Sequence, residues 1–589
     1  MSNFRFSPRP NRAHEIEWHE WSNEPFALAQ KTHRLLLLSI SAVWCHWCHV
    51  MDETTYSDPE IIEIINQRFV PIRVDSDRRP DINQRYNLGG WPTTAILNAD
   101  GELITGATYL PSEQMRDLLT RIDELHQLPE SELKSKFQPT ESSRFRPVPE
   151  PEILLELVEQ IENRILARYD QQWGGFGTSP KFPMVDALFY AIEAHHRKDG
   201  QWEEVFTHTM NKMASGGMFD HIEGGFFRYS TDRQWRIPHY EKMLEDNSQL
   251  MEAYLQAWQV SNQDEFLDTA RHVFNYLYKN LYLADQHAWA GSQDADENYY
   301  ALDEKERRLV QAPFIDTTIY TDWNSMMARS LLLMGVLTDD RHIIDLGINT
   351  LESLWERSWV PERGLAHYYI DGQAHLYRQL TDVTAYGQAC NLAFQVTGDR
   401  HWLERSGLLA DFCLFHLEAP EGGFYDIIPC ETAPGALGRP HLDLQLNSRT
   451  ALWLLELTAL TDNQPYEKAA KKALSIWQDD YVLSYGPLAA GYARALLAAE
   501  QPWTTVTVVG EKHDAQARKM VEESLRQYRL HRVVIWIDPV VEPGLAAAVT
   551  GALTPEKPTA YVCTGQTCLP PAHTIDELLE HQNQPRYDQ

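Results

Sequence analysis

The chain has 589 residues, more than one core holds at about 150 residues per domain, and 43% hydrophobic content with 18 Trp, 26 Tyr and 20 Phe marks a folded, multidomain protein. A formal net charge of −32 excludes a general binder of phosphate backbones and disfavours an anionic membrane surface. Seven cysteines make no disulfide scaffold, the first residues carry no apolar export segment, and no apolar run nears the roughly 20 residues of a membrane helix; the expectation is a cytoplasmic protein with no nucleic-acid or membrane partner, no metal and no cofactor.

Residues 1–127 read as an α/β sandwich. Helical spacing over 24–34 leads into the apolar run 35–41, a buried strand. Asp58 and Pro59 open a helix over 59–69 as N-cap and first-turn residue. Residues 70–75 and 93–98 read as strands, Asn98-Ala99-Asp100-Gly101 as a turn, 102–107 as the next strand, and 111–127 as an amphipathic helix. Residues 128–150 have no periodic apolar pattern and read as a linker. From 151 to 500 the pattern is helical, interrupted by Gly-aromatic loops at Gly174-Gly175-Phe176, Gly224-Gly225-Phe226, Ala290-Gly291, Gly364-Leu365, Gly422-Gly423-Phe424 and Tyr485-Gly486-Pro487. They recur about every 62 residues, enough for a helical hairpin each. Six hairpins closed into an (α/α)6 toroid would gather the loops at one mouth; an open solenoid is the alternative. Residues 501–589 hold one βαβ unit, a last strand at 559–563 and a helix, a small C-terminal α/β domain.

Cys45-His46-Trp47-Cys48 follows the strand 35–41 directly, the arrangement of a thioredoxin-like site. A helix N-terminus favours thiolate at its first cysteine, so Cys45 is the expected nucleophile, the more exposed and more acidic of the two, and Cys48 the resolving thiol. His46 can add positive charge. Pro92, before the strand at 93–98, is the expected cis-proline facing the pair. Three rival readings exist: covalent haem attachment through Cys45-x-x-Cys48-His49, a zinc site, and a degenerate structural domain. The buried aspartate that thioredoxins carry six residues before the first cysteine is Ser39 here. Cys563 and Cys568 read as two buried thiols, with a second redox switch or a metal pair as the alternatives.

These residues, with Arg79-Pro80-Asp81, Gly89-Gly90-Trp91-Pro92, Pro180-Lys181-Phe182-Pro183, Pro238-His239-Tyr240-Glu241-Lys242-Met243-Leu244, Gln293-Asp294-Ala295-Asp296 and Trp323-Asn324, resemble the spermatogenesis-associated protein 20 / YyaL family. The resemblance implies a thioredoxin-like domain joined to a six-hairpin, glycosidase-like toroid, and no particular reaction. The sequence departs from the family at Asn83–Leu88, Glu245, Ser325 and around Thr381-Asp382.

In the toroid, Arg228, Tyr229, Trp235, His239, Glu241, Asp294, Asp296 and Trp323 are the candidate pocket residues, since aromatics stack on sugar faces while carboxylates and Arg bind hydroxyls. Glu241 with Asp294 or Asp296 would form one acidic pocket fed by neighbouring loops. Two carboxylates suit glycoside hydrolysis, and histidines suit epimerisation. The functional expectation is a dithiol–disulfide oxidoreductase with a protein thiol partner, fused to a toroid that binds or processes a carbohydrate-like ligand. The alternatives are a sugar epimerase or glycoside hydrolase in the toroid with a regulatory thioredoxin-like domain, and a non-catalytic scaffold.

Overall fold

The computed structural model describes residues 4–126, 145, 155–198, 200–551 and 557–583. The expected linker lies outside these apart from Phe145. Among the described residues no helix is long and apolar enough to cross a membrane. The chain divides into two compact units. Unit 1 comprises 1–143, 292–316 and 427–441; unit 2 comprises 144–291, 317–426 and 442–589. Where the sequence suggests cuts at 127, 150 and 500, the structure groups two long loops of the helical segment with the N-terminal body.

Unit 1 is built on a four-stranded sheet in the order β2–β1–β3–β4, from β1 (Leu35–Ser41), β2 (Phe69–Asp75), β3 (Thr93–Leu97) and β4 (Leu103–Ala107). β1 runs parallel to β2 and antiparallel to β3. Helices α1 (Asn23–Thr32), α2 (His46–Glu53), α3 (Pro59–Arg68), α4 (Pro80–Tyr86) and α5 (Ser112–His126) flank it. Asp58 caps α3 as expected, accepting from the Glu60 and Ile61 amides. The central strand is buried on both faces, so β1 is a continuous apolar run. Leu36, Leu38 and Ile40 join a core on one side, and Leu35 and Leu37 one on the other. Ile427 and Leu437, from the second excursion, complete the first of these cores. The Tyr86 hydroxyl accepts from the Ala436 amide at 2.8 Å.

Unit 2 contains the toroid. Its inner helices are α7 (Val185–Lys198), α9 (Leu244–Ser261), α11 (Thr321–Thr338), α13 (Leu380–Thr397), α15 (Leu444–Thr461) and α17 (Ala490–Glu500). Each packs on the next, and α17 packs back on α7, so the ring closes. The outer partners, in the same order, are α8 (Gln201–Ser215), α10 (Asp264–Asn280), α12 (Arg341–Ser358), α14 (Arg400–His416) and α16 (Gln464–Ser475); α17 pairs with α6 (Glu156–Arg168). The first and last helices therefore form the sixth hairpin. α11 and α13 are buried nearly all round, as inner positions require, while α10 and α16 keep a polar outer face. Four inner helices end on a left-handed residue, Asn262, Asp339, Gly398 or Asp462, and the next residue caps the outer helix.

A repeated clasp holds three of the Gly-aromatic loops. Asn247, Asn324 and Asn447 occupy the fourth position of α9, α11 and α15. Each side-chain oxygen accepts the amide of Phe226, Trp289 or Phe424 at 2.7–2.8 Å. Each side-chain amide donates back to the carbonyl of the same residue.

The C-terminal segment clusters with the toroid and holds the expected βαβ unit, last strand and helix, with one further helix and a two-residue strand added. Its sheet has the order β8–β7–β9–β10, from β7 (Thr504–Val509), β8 (Arg532–Ile537), β9 (Thr559–Thr564) and β10 (Thr567–Cys568); β5 (Gly364–Ile370) and β6 (Gln373–Tyr377) form a hairpin within the toroid. β7 runs parallel to β8 and antiparallel to β9, and β9 antiparallel to β10. α18 (Ala515–Arg526), α19 (Pro543–Thr550) and α20 (Ile575–Asn583) follow β7, β8 and β10. Order and directions are those of β2–β1–β3–β4 in unit 1. Pro558-Thr559 enters β9 as Pro92-Thr93 enters β3, but Gly510–Asp514, after β7, holds no cysteine. Cys563 and Cys568 are disulfide-bonded across β9 and β10, and Cys568 is exposed. This corrects the reading of two buried thiols: directly opposed positions of a hairpin bring the sulfurs together at the surface.

The clasp predicts that Asn447→Ala costs about 2–3 kcal/mol, because it leaves the buried Phe424 amide and carbonyl unpaired. Urea unfolding measures this; a change within about 0.5 kcal/mol would show that the loop holds without it.

Candidate functional site

In unit 1, Cys45 is the N-cap of α2, and its Sγ accepts the Cys48 amide at 3.1 Å. The two cysteines are disulfide-bonded. Both are buried, Cys45 at 3% and Cys48 at 2% exposure, so the expected difference in exposure is absent; the exposed residue of the motif is Trp47, at 46%. The Trp91–Pro92 bond is cis, as expected. Trp91 meets Trp44 edge-on at 5.5 Å, and Trp44 Nε1 donates to Asp77 at 2.6 Å.

Ser39 pairs in register with Arg73 on β2. Arg73 donates two bonds to Asp52 of α2, at 2.7 and 3.0 Å, and both residues are buried. This ion pair ties the cysteine helix to the sheet. Asp75, in register with Ser41 at the end of β2, accepts the Val43 amide at 3.1 Å. Burial, with Asp77 adding to it, pushes the Asp75 carboxyl up to about 7. Burial, reinforced by Arg5 and Arg73, lowers the His49 imidazole to about 4. His49 is therefore neutral at pH 7. Neither Asp75 nor the Arg73–Asp52 pair was singled out in the sequence; Asp75, closing a strand beside the motif, is the one a positional argument could find.

Asp294 and Asp296 correct an expectation. They lie in the 292–316 excursion of unit 1 rather than in a toroid pocket with Glu241. Asp294 pairs with Arg5 at 3.4 Å, and the Arg5 guanidinium stacks on Phe314 at 3.2 Å. Asp296 caps a short helix through the Asn298 and Tyr299 amides. Both line a cleft of about 310 Å³ beside His46 and His49.

In unit 2, Glu241 is wholly buried, with His239 Nδ1 at 2.6 Å from its carboxylate. Tyr229 stacks on His239 at 4.9 Å. Trp235 is a brace: buried, it donates to the Trp173 carbonyl at 2.9 Å and lies over the Lys181 ammonium. Arg228 bears on Glu245 and Asp246, in the first turn of α9. Burial, then neighbouring acids set against Arg228, raises Asp246 to about 7. Trp323 packs on Tyr320 at 4.3 Å.

Beside Trp323 stands a group that sequence reasoning passed over. Asp322 of α11, His367 of β5 and Asp382 of α13 are all buried, with ligand-type atoms within 4.8 Å of one another. Asp382 engages His367 Nδ1 at 3.0 Å. Burial raises Asp382, against His367, and raises Asp322 to about 6, where His367 opposes and Asp382 adds to the rise. The cluster could hold one small cation, and its buried acids with an imidazole oriented by Asp382 also suit it to hold and pass protons. The signal for it is the recurrence of an acid in the first turn of inner helices: Asp186, Glu245, Asp246, Asp322 and Asp382.

Residues 9–142 match the family described as Thioredox_DsbH, protein of unknown function, DUF255. The chain is 34% identical to spermatogenesis-associated protein 20 of Rattus norvegicus over 292 residues, covering 45% of this chain and 37% of that one. Against the Homo sapiens protein it is 31% identical over 343 residues, covering 51% and 43%. The chain thus spans about two fifths of the length of these relatives, and the resemblance expected from the motifs is present. Among solved structures, the cellobiose 2-epimerase of Spirochaeta thermophila aligns over 58% of this chain and 94% of that one at 14% identity and TM-score 0.46. A D-mannose isomerase aligns over 62% and 99% at 11% identity and TM-score 0.46. The toroid is established by the packing order of its own helices, not by these distant likenesses.

An acid whose folded pKa is raised binds more protons folded than unfolded, so it costs stability as pH rises through that range. For Asp322 the cost grows between about pH 4 and pH 6 and reaches at most about 3 kcal/mol. Asp322→Asn should therefore gain on the parent chain as pH rises from 4 to 8; melting curves that keep a constant offset across that range contradict the assignment.

Proposed function

We propose that this chain, which resembles spermatogenesis-associated protein 20 over the stretch they share, is a thiol–disulfide oxidoreductase that carries a carbohydrate-handling toroid on the same polypeptide. The observation behind the first half is the Sγ of Cys45 at the N-cap of α2, accepting the Cys48 amide. A thiolate in that position is stabilised by the amide and by the partial positive charge of the helix end. Cys45 attacks a partner disulfide and forms a mixed disulfide while one partner thiolate leaves. Cys48 then attacks the Cys45 sulfur, the second partner thiolate leaves, and the Cys45–Cys48 bond carries the oxidation. Asp75, whose buried carboxyl is pushed up to about 7 and accepts the Val43 amide two residues before Cys45, is the group to which we assign the proton-accepting role that Ser39 cannot fill. His46, half-buried on the same helix turn, adds charge when protonated.

The second half rests on the Asp322–His367–Asp382 group, with Arg228, Asp246 and the rings of Tyr229 and Trp323. Buried carboxyls that keep protons near neutrality, beside an imidazole oriented by a carboxylate, suit acid/base work on a hydroxyl-rich neutral ligand. This favours the toroid as an enzyme in its own right over a passive scaffold.

The redox half predicts that Cys48→Ser accumulates a mixed disulfide at Cys45 which dithiothreitol releases, and that the Cys45 thiol of this variant alkylates with a midpoint at least one pH unit below the free value of about 8.5. Non-reducing electrophoresis and the pH dependence of iodoacetamide labelling read the two effects. No adduct above that of Cys45→Ser, with a midpoint at 8.5 or higher, would leave the pair structural.

A further inference from the structure

A cleft runs beside the cysteine helix, lined by neighbours of Cys45 on that helix. It lies wholly within unit 1, and one wall is the stripe His46, His49, Val50 and Glu53 of α2, beginning one residue from Cys45. Residues 7–9 and the excursion at 294–296 and 311–314 form the other walls. Its volume of about 310 Å³ is at the low end for small-molecule sites, room for a compact polar molecule and not for a polypeptide strand. The sulfurs belong to residues at most 3% exposed, which sets them back from a broad protein surface.

The lining carries both signs of charge. Glu53 accepts the Ser7 hydroxyl at 2.6 Å and pairs at 3.6 Å with the Arg9 guanidinium, whose side chain is 60% exposed. Asp296 presents a half-buried carboxylate. His49, neutral at pH 7, does not repel an ammonium group. Such a lining complements a zwitterion, with an ammonium on Glu53 and Asp296 and a carboxylate on Arg9.

We propose that the cleft binds a low-molecular-weight disulfide with amino-acid ends, of the cystine type, and presents it to Cys45. This rests on the redox reading above. The Cys45 thiolate attacks one sulfur of the bound disulfide, whose S–S bond breaks and releases one thiolate that takes a proton from water. Cys48 displaces the second thiolate from Cys45. The ligand gains two electrons and two protons, the Cys45–Cys48 pair loses two electrons, and a dithiol reductant restores it.

The test uses the full chain, pre-reduced with dithiothreitol and desalted under nitrogen, and follows thiol release by L-cystine, cystamine, dithiodipropionate, insulin and an aromatic disulfide reagent. L-cystine should react at least 10-fold faster than insulin, cystamine or dithiodipropionate, since these are a polypeptide or lack one of the two charges. Glu53→Gln and Arg9→Ala should each slow the L-cystine reaction 5–20-fold by raising KM. Arg9 is mostly exposed, so its variant remains informative if Glu53→Gln does not fold. Insulin reacting as fast as L-cystine, or both variants leaving the L-cystine KM unchanged, would overturn the proposal and leave the redox reading standing. Failure to reduce any of the five disulfides would instead strike the redox reading itself.

Discussion

Closing six helices into a ring buries them on every side, and much of unit 2 follows from that. An inner helix still begins with amides that have no partner within the helix. Each is entered through a loop from the outer helix of the preceding hairpin, so these amides gather where the Gly-aromatic loops lie. Asn247, Asn324 and Asn447 pin three loops to the starts of their helices. First-turn acids meet some of the remaining need, as Asp322 does for the Trp323 amide. In so dry a setting they cannot all be charged, and Asp246, Asp322 and Asp382 hold their protons to higher pH. Ring closure thus concentrates titratable groups that surface acids would not provide.

The same architecture tolerates long excursions. A loop from an outer to an inner helix can lengthen without disturbing the ring, and two have done so, at 292–316 and 427–441, to fold with the N-terminal body. One supplies Ile427 and Leu437 to that body's core; the other supplies Asp294, Asp296 and Phe314 to the wall of a cleft along the cysteine helix. Two α/β bodies of the same strand order stand at the two ends of the sequence. Only the first places a cysteine at a helix N-terminus. The Cys563–Cys568 bond joins the two strands of a hairpin with no helix end to favour a thiolate, whereas the Cys45–Cys48 bond lies at a helix N-terminus.

Local chemistry was legible in the sequence and distant packing was not. The strand into Cys45-x-x-Cys48, the Asp58 cap and the Asn98–Gly101 turn depend on neighbours within a few residues, and all three stand as expected. The hairpin count was legible from loop recurrence. A sharper repeat is present in the sequence: Ser261-Asn262-Gln263, Thr338-Asp339-Asp340, Thr397-Gly398-Asp399 and Thr461-Asp462-Asn463, at four of the five inner-to-outer turns. The place of Asp294 in the N-terminal body is not legible in the sequence because its partner, Arg5, lies 289 positions away and no periodicity signals such a contact. Asp322, His367 and Asp382 escaped notice because an acid in a first turn looks the same whether it compensates a helix end or serves a site. Cys563 and Cys568 look like core thiols until the hairpin register sets them opposite each other.

The central claim is that Cys45 and Cys48 exchange reversibly between disulfide and dithiol. The most direct measurement equilibrates the full chain over a series of glutathione and dithiothreitol ratios, alkylates it, and quantifies the oxidised and reduced forms of the 45–48 peptide by mass spectrometry. The account predicts a single two-electron transition with a midpoint within the range of thioredoxin-type sites, about −270 to −120 mV. A pair that stays oxidised below about −300 mV, as structural disulfides do, would contradict it.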